Sequence, residues 1–83
     1  MSKWTLYILK CNGGSLYTGI TTDIEKRIRC HNEGKGAKYT RSKLPVRLVY
    51  SKKFRNGSSA RKEEARIKRL TRIEKLALVG TCN

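Results

Sequence analysis

The chain is short of acids: only six of its 83 residues are Asp or Glu, against twenty Lys and Arg, for a formal net charge of +14. Like charge at this density opposes compaction unless a polyanion relieves it, and nucleic acid is the natural polyanion. Cysteine is also sparse and unpatterned. Cys11, Cys30 and Cys82 are odd in number and show no C-x-x-C spacing, which argues against a zinc site or a dithiol motif and reads as three reduced thiols. No apolar run reaches transmembrane length, and no stretch is long and amphipathic enough to lie on a bilayer. Met1-Ser2-Lys3-Trp4 leads straight into a patterned strand, without the apolar core of a signal peptide. The expectation is a cytoplasmic protein with no membrane partner. Apolar residues make up 37% of the chain. A chain of this size buries roughly two thirds of its unfolded surface, so one thin core and one domain spanning residues 1–83 are expected. That leaves little room for an enclosed pocket, so chemistry belongs on an open surface and no small-molecule cofactor is expected.

What is present is regular patterning. From Trp4 to Lys10 the residues alternate, with Trp4, Leu6 and Ile8 on one side and Thr5, Tyr7 and Leu9 on the other, the period of a strand. Asn12-Gly13-Gly14 supplies a turn, and Ser15 to Thr21 is a second strand, giving a β-hairpin. Thr22-Asp23-Ile24-Glu25 fits a capping box and predicts a helix from about Asp23 to Glu33, with Ile24 and Ile28 defining the buried face, His31 beside Ile24, Arg27 at the rim and a Glu25–Arg29 pair outward. Residues 34–43 read as a basic loop that Pro45 closes. Val46 to Tyr50 is a third strand, and Lys52 to Gly57 a basic connection. Ser58 or Ser59 is expected to cap a helix through Leu70, with Glu63 and Glu64 near its N-terminal end. Thr71-Arg72-Ile73-Glu74 is a second capping box, restarting the helix to about Val79. The fold class is α+β, a small three-stranded antiparallel sheet flanked by helices in the order β-β-α-β-α-α.

Phosphodiester hydrolysis needs a base for water, a cation for the developing charge and, in most cases, a carboxylate to hold a divalent metal. Asp23, Glu25 and Glu74 have capping or pairing duties, which leaves Glu63 and Glu64; the helical wheel does not choose between them. Tyr7 and Tyr17 share one face of the hairpin, so their hydroxyls can converge.

Tyr7, then Tyr17-Thr18-Gly19, then Arg27 within Thr21 to His31 resembles the GIY-YIG nuclease superfamily. The likeness continues through Gly34 to Lys38, the Pro45 to Tyr50 strand, and Glu64 to Thr71 with Lys75 beyond, and is strongest to small stand-alone bacterial members. Two positions depart from the pattern: Thr5-Leu6-Tyr7 lacks the first motif's glycine, and Thr18 stands where the second has isoleucine. The resemblance implies a catalytic set of Tyr7, Tyr17, Arg27, His31 and Glu64, with Gly19 as a structural motif residue. One tyrosine acts as or assists the general base, and Arg27 holds the phosphate. Glu64 is the sole protein ligand of one Mg²⁺ or Mn²⁺ ion, and His31 touches substrate or orients a water. Lys35, Lys38, Arg41 and Lys68 are expected to hold the nucleic-acid backbone. DNA is the expected partner, with RNA as a second possibility and a preference for shape or single strands. The competing reading is a non-catalytic nucleic-acid-binding module, either a decayed nuclease or a ribosome-associated basic protein.

Overall fold

The computed structural model describes residues 3–36 and 38–80 and, at Lys38 and Tyr39, the backbone alone; Cys82 lies outside the described residues. Its elements are β1 (Trp4–Lys10), β2 (Leu16–Thr21), α1 (Ile24–Asn32), α2 (Lys38–Arg41), β3 (Arg47–Phe54), α3 (Gly57–Lys68) and α4 (Arg72–Gly80). The strands form one antiparallel sheet in the order β2-β1-β3. The expected α+β architecture is present, with one addition: the basic loop contains the single turn α2.

Strand β1 is central and buries residues on both faces, so its alternation sorts two cores. Leu6 and Ile8 point to one side and pack with Tyr50 and Ile67, backed by Leu16, Ile20, Leu70 and Leu78. Tyr7 and Leu9 point to the other, with Cys11 and Val46, backed by Tyr17, Ile24, Ile28 and Leu44. Helices α3 and α4 cover the first face and α1 the second. Burying a Leu or Ile side chain contributes roughly 1.5–3 kcal/mol, so Leu6 and Ile8 on one face and Leu9 on the other are the main apolar anchors of the sheet.

The third strand runs further than its apolar residues indicate. Lys52, Lys53 and Phe54 pair with Leu6, Thr5 and Trp4, so what reads as a basic connection is ladder, and only Arg55 and Asn56 connect β3 to α3. An edge strand accepts lysines because their side chains reach water while the backbone pairs inward. Ile8 pairs Tyr50 but Leu9 pairs Leu48, so Val49 is an extra residue on β3, and the bulge lets both Val49 and Tyr50 join the Leu6–Ile8 core.

Two caps differ from the expected ones by a short shift. Asp23 rather than Thr22 caps α1, its carboxylate accepting from Lys26 N–H at 3.1 Å, while Thr21 Oγ1 accepts from Asp23 N–H. Asn56 rather than a serine caps α3, accepting from Ser59 N–H at 2.8 Å. Both have the extended backbone an N-cap needs, and each carries a side-chain oxygen that reaches an amide of the first helical turn. As α3 starts at Gly57, Glu63 and Glu64 fall in its middle turns. The second capping box forms in full: Thr71 N–H donates to Glu74 Oε1 at 2.9 Å and Glu74 N–H to Thr71 Oγ1 at 3.2 Å. Among the described residues, no helix is long and apolar enough to cross a membrane.

Candidate active site

The sheet face that carries Tyr7 and Tyr17 is covered by α1, and there three rings meet. Tyr7 lies opposite Gly19 on β2, while Tyr17 lies opposite Leu9. The ring centroids of Tyr7 and Tyr17 are 6.4 Å apart, those of Tyr17 and His31 5.4 Å, and those of Tyr7 and His31 6.3 Å. The Tyr7 hydroxyl passes over Gly19, where an added Cβ would lie 2.6 Å from it; glycine is what lets the phenol reach past β2. The hydroxyl ends 3.5 Å from His31 Nε2.

His31 is the one fully buried side chain of α1 and is 1% exposed. The helical spacing that sets it beside Ile24 and Ile28 turns it into the sheet. Burial, helped by the positive charge of Arg27, lowers its pKa below the usual imidazole value, so the ring is neutral at pH 7. Burial raises the pKa of Tyr7 to about 12; Tyr17 and Glu64 push in the same direction and Arg27 opposes them. Tyr7 is therefore a neutral phenol at pH 7. Arg27 itself is exposed on α1, one turn before His31, with its charge acting on both buried rings.

The two candidate carboxylates on α3 separate by their neighbours. Glu63 accepts from both Nε and a terminal nitrogen of Arg66, and this fork, with Lys52 nearby, lowers its pKa. It therefore belongs to the β3 side. Glu64 belongs to the other: its charge acts on Tyr7, and Lys68, one turn on, pairs with it at 3.1 Å. Lys68 also borders, with Leu16, Tyr17, Thr18 and Lys75, an open depression of about 350 Å³ along the β2 edge. Tyr7, Tyr17 and His31 are thus in mutual ring contact, with the charges of Arg27 and Glu64 acting on Tyr7, and Lys68 at the same edge.

The loop cations are set apart from the rings. Lys35 is exposed and lies 4.0 Å from Glu33, and Arg41 is exposed at the end of α2. The side chain of Lys38 lies outside the described residues. Two residues that the sequence does not single out belong to this region. Thr40, which reads as part of a loop, is 0% exposed with Oγ1 2.8 Å from His31 Nδ1. Gly36 lies so close that a Cβ there would overlap Nδ1. Neither has a local signal, because each matters only once the loop folds over α1. Cys11 and Cys30 are free thiols, and among the described residues no three His, Cys, Asp or Glu side chains cluster as a metal site.

Two tyrosines of the hairpin and the histidine of α1 thus meet on one face, with the charges of an arginine and a glutamate acting there. The model of the GIY-YIG catalytic domain matches residues 3–77, and the chain belongs to the GIY-YIG family. Within that family it is similar to small bacterial UPF0213 proteins. It is 53% identical over 80 residues to UPF0213 protein SSP2268 of Staphylococcus saprophyticus, covering 96% of this chain and 98% of that one. It is 50% identical over 74 residues to UPF0213 protein SAG0778 of Streptococcus agalactiae, covering 89% and 84%. The solution NMR structure of UPF0213 protein BH0048 from Bacillus halodurans superposes with a TM-score of 0.62 at 46% identity, covering 98% of this chain and 85% of that one.

Proposed function

We propose that residues 1–83 act as one metal-dependent endonuclease domain that hydrolyses phosphodiester bonds, with DNA as the first substrate to consider and a preference for structured or single-stranded targets. The observation that carries this reading is the meeting of Tyr7, Tyr17 and His31 at one edge of the sheet, where the charges of Arg27 and Glu64 both act on Tyr7. A binding module has no use for a buried phenol set against a buried neutral imidazole.

The pKa values suggest how the proton moves. With its pKa raised to about 12, Tyr7 is a poor source of phenolate at neutral pH. It can still take a proton from an attacking water if it passes its own to His31 Nε2, 3.5 Å away, so that the proton rests on the imidazole. Hydrogen bonds of this length are common before substrate tightens a site. Arg27, at the exposed rim, holds the scissile phosphate and neutralises charge as the pentacovalent state forms. Glu64 supplies a carboxylate, the hard oxygen donor that Mg²⁺ or Mn²⁺ takes, with water and phosphate oxygens completing the shell. Its half-buried position in the middle of α3 and its exposed partner Lys68 suit an open, exchangeable site. When bound, such an ion supplies positive charge to the reacting phosphate and its leaving oxygen. Lys68, Lys35, Lys38 and Arg41 hold the polyanion along the strand.

The test is cleavage of single-stranded, duplex and branched DNA and of RNA by the purified protein with Mg²⁺, Mn²⁺ or EDTA. The expected result is metal-dependent cutting that Arg27→Ala and Glu64→Ala each reduce by roughly two to three orders of magnitude. Equal cutting by the variants means a contaminant or a different site. Salt-sensitive binding of every substrate with no cutting favours the binding-module reading.

A further inference from the structure

His31 has a polar partner at each ring nitrogen: the Tyr7 hydroxyl at 3.5 Å from Nε2 and Thr40 Oγ1 at 2.8 Å from Nδ1. The second contact is closed from water. Thr40 is fully buried although it sits on a one-turn helix in a basic loop, and Gly36 brings the backbone so near to Nδ1 that no side chain fits there. A neutral imidazole carries one N–H and one lone pair, so the two bonds cannot be chosen independently. A phenol is a good donor and a poor acceptor, an aliphatic hydroxyl accepts better than a phenol, and an imidazole lone pair accepts best of the three. The favoured pattern has Tyr7 O–H donating to Nε2 and Nδ1–H donating to Thr40 Oγ1. In water an imidazole of histidine prefers the opposite form, with the proton on Nε2.

We propose that Thr40 is a positioning residue that holds His31 in the Nδ1–H tautomer and so turns the Nε2 lone pair toward the Tyr7 hydroxyl. The lowered pKa of His31 is consistent with a ring that is neutral when it does so. Without Thr40 the ring reverts to the Nε2–H form and aims a donor at Tyr7, which then has no base to receive its proton. The effect on cleavage rests on the nuclease reading above; the tautomer does not.

The chain contains a single histidine, so a long-range proton–nitrogen correlation spectrum of the labelled protein shows one imidazole and needs no assignment. At a pH where His31 is neutral, the wild type is expected to show a protonated Nδ1 and a bare Nε2. Thr40→Val shifts the population to Nε2–H, and Thr40→Ser restores it. In single-turnover cleavage Thr40→Val slows the reaction roughly 10- to 100-fold, as loss of an outer hydrogen-bond partner does, and Thr40→Ser recovers most of it. A wild-type spectrum with Nε2–H, or a folded Thr40→Val protein with an unchanged tautomer, overturns the proposal. Should Thr40→Val fail to fold, the wild-type and Thr40→Ser spectra still decide. A wild type that cuts nothing but shows Nδ1–H refutes the nuclease reading alone, while one that cuts but shows Nε2–H refutes this proposal alone.

Discussion

Successive residues of β1 do opposite jobs. Leu6 and Ile8 enter a core of hydrocarbon, where removing any atom costs stability and nothing else. Tyr7, between them, enters a face where ring edges, a buried imidazole and a buried hydroxyl form a polar chain. The first face is mostly apolar and needs no exact angle. The second is buried almost as deeply yet keeps hydroxyl and ring nitrogens paired, which the proposed proton transfer requires. The period of two in a strand thus divides the sheet into a face that is core alone and a face that combines core with the proposed site.

The largest blow to that division is Leu6→Ala, expected to destabilise by about 2–5 kcal/mol, which is a large part of the roughly 5–15 kcal/mol available to a small domain. Denaturant titration should show it, and any loss of cleavage should follow the folded fraction. Gly19→Ala strikes the other face: the new Cβ at 2.6 Å from the Tyr7 hydroxyl forces the phenol aside, at about 1–3 kcal/mol. Here cleavage should fall far below the folded fraction. Acid sharpens the contrast more gently. The folded-state pKa of His31 is lowered, so the unfolded chain takes up a proton first. Stability is complete above about pH 6.5, the unfolded value, and declines as pH falls toward the lowered folded value. Denaturation midpoints at pH 7.5 and 5 should differ in the wild type, and the difference should shrink in His31→Gln. The smallest effect is expected at Thr71→Ala, which removes one arm of the α4 capping box and costs about 1 kcal/mol, with cleavage unchanged.

The strands, the α1 face and the second capping box are legible because their signals are local: alternation, helical spacing, and two partners three residues apart. The caps at Asp23 and Asn56 are harder to read, since Thr21, Thr22, Asn56, Ser58 and Ser59 are all competent caps and backbone shape decides among them. Lys52 to Phe54 hide as strand because an edge that faces water carries charge without penalty. Glu63 and Glu64 both border the apolar arc of one wheel, and only their surroundings, the Arg66 fork for one and Lys68 with the field on Tyr7 for the other, separate them. Thr40 leaves no trace in the sequence, and Gly36 shows only as one glycine of a loop that shares the family likeness. Their role exists only where α2 closes over His31, a contact between elements that no local pattern records.

The most direct measurement on the central claim removes one oxygen from the reactive face. Tyr7→Phe keeps the ring that packs beside Leu9 and Ile24 and deletes the hydroxyl that meets His31. Single-turnover cleavage by folded Tyr7→Phe protein is predicted to fall by about 10²–10⁴-fold, far more than the stability loss of about 1–3 kcal/mol from the unpaired His31 Nε2 can explain. Cleavage by that variant at close to the wild-type rate would contradict the account.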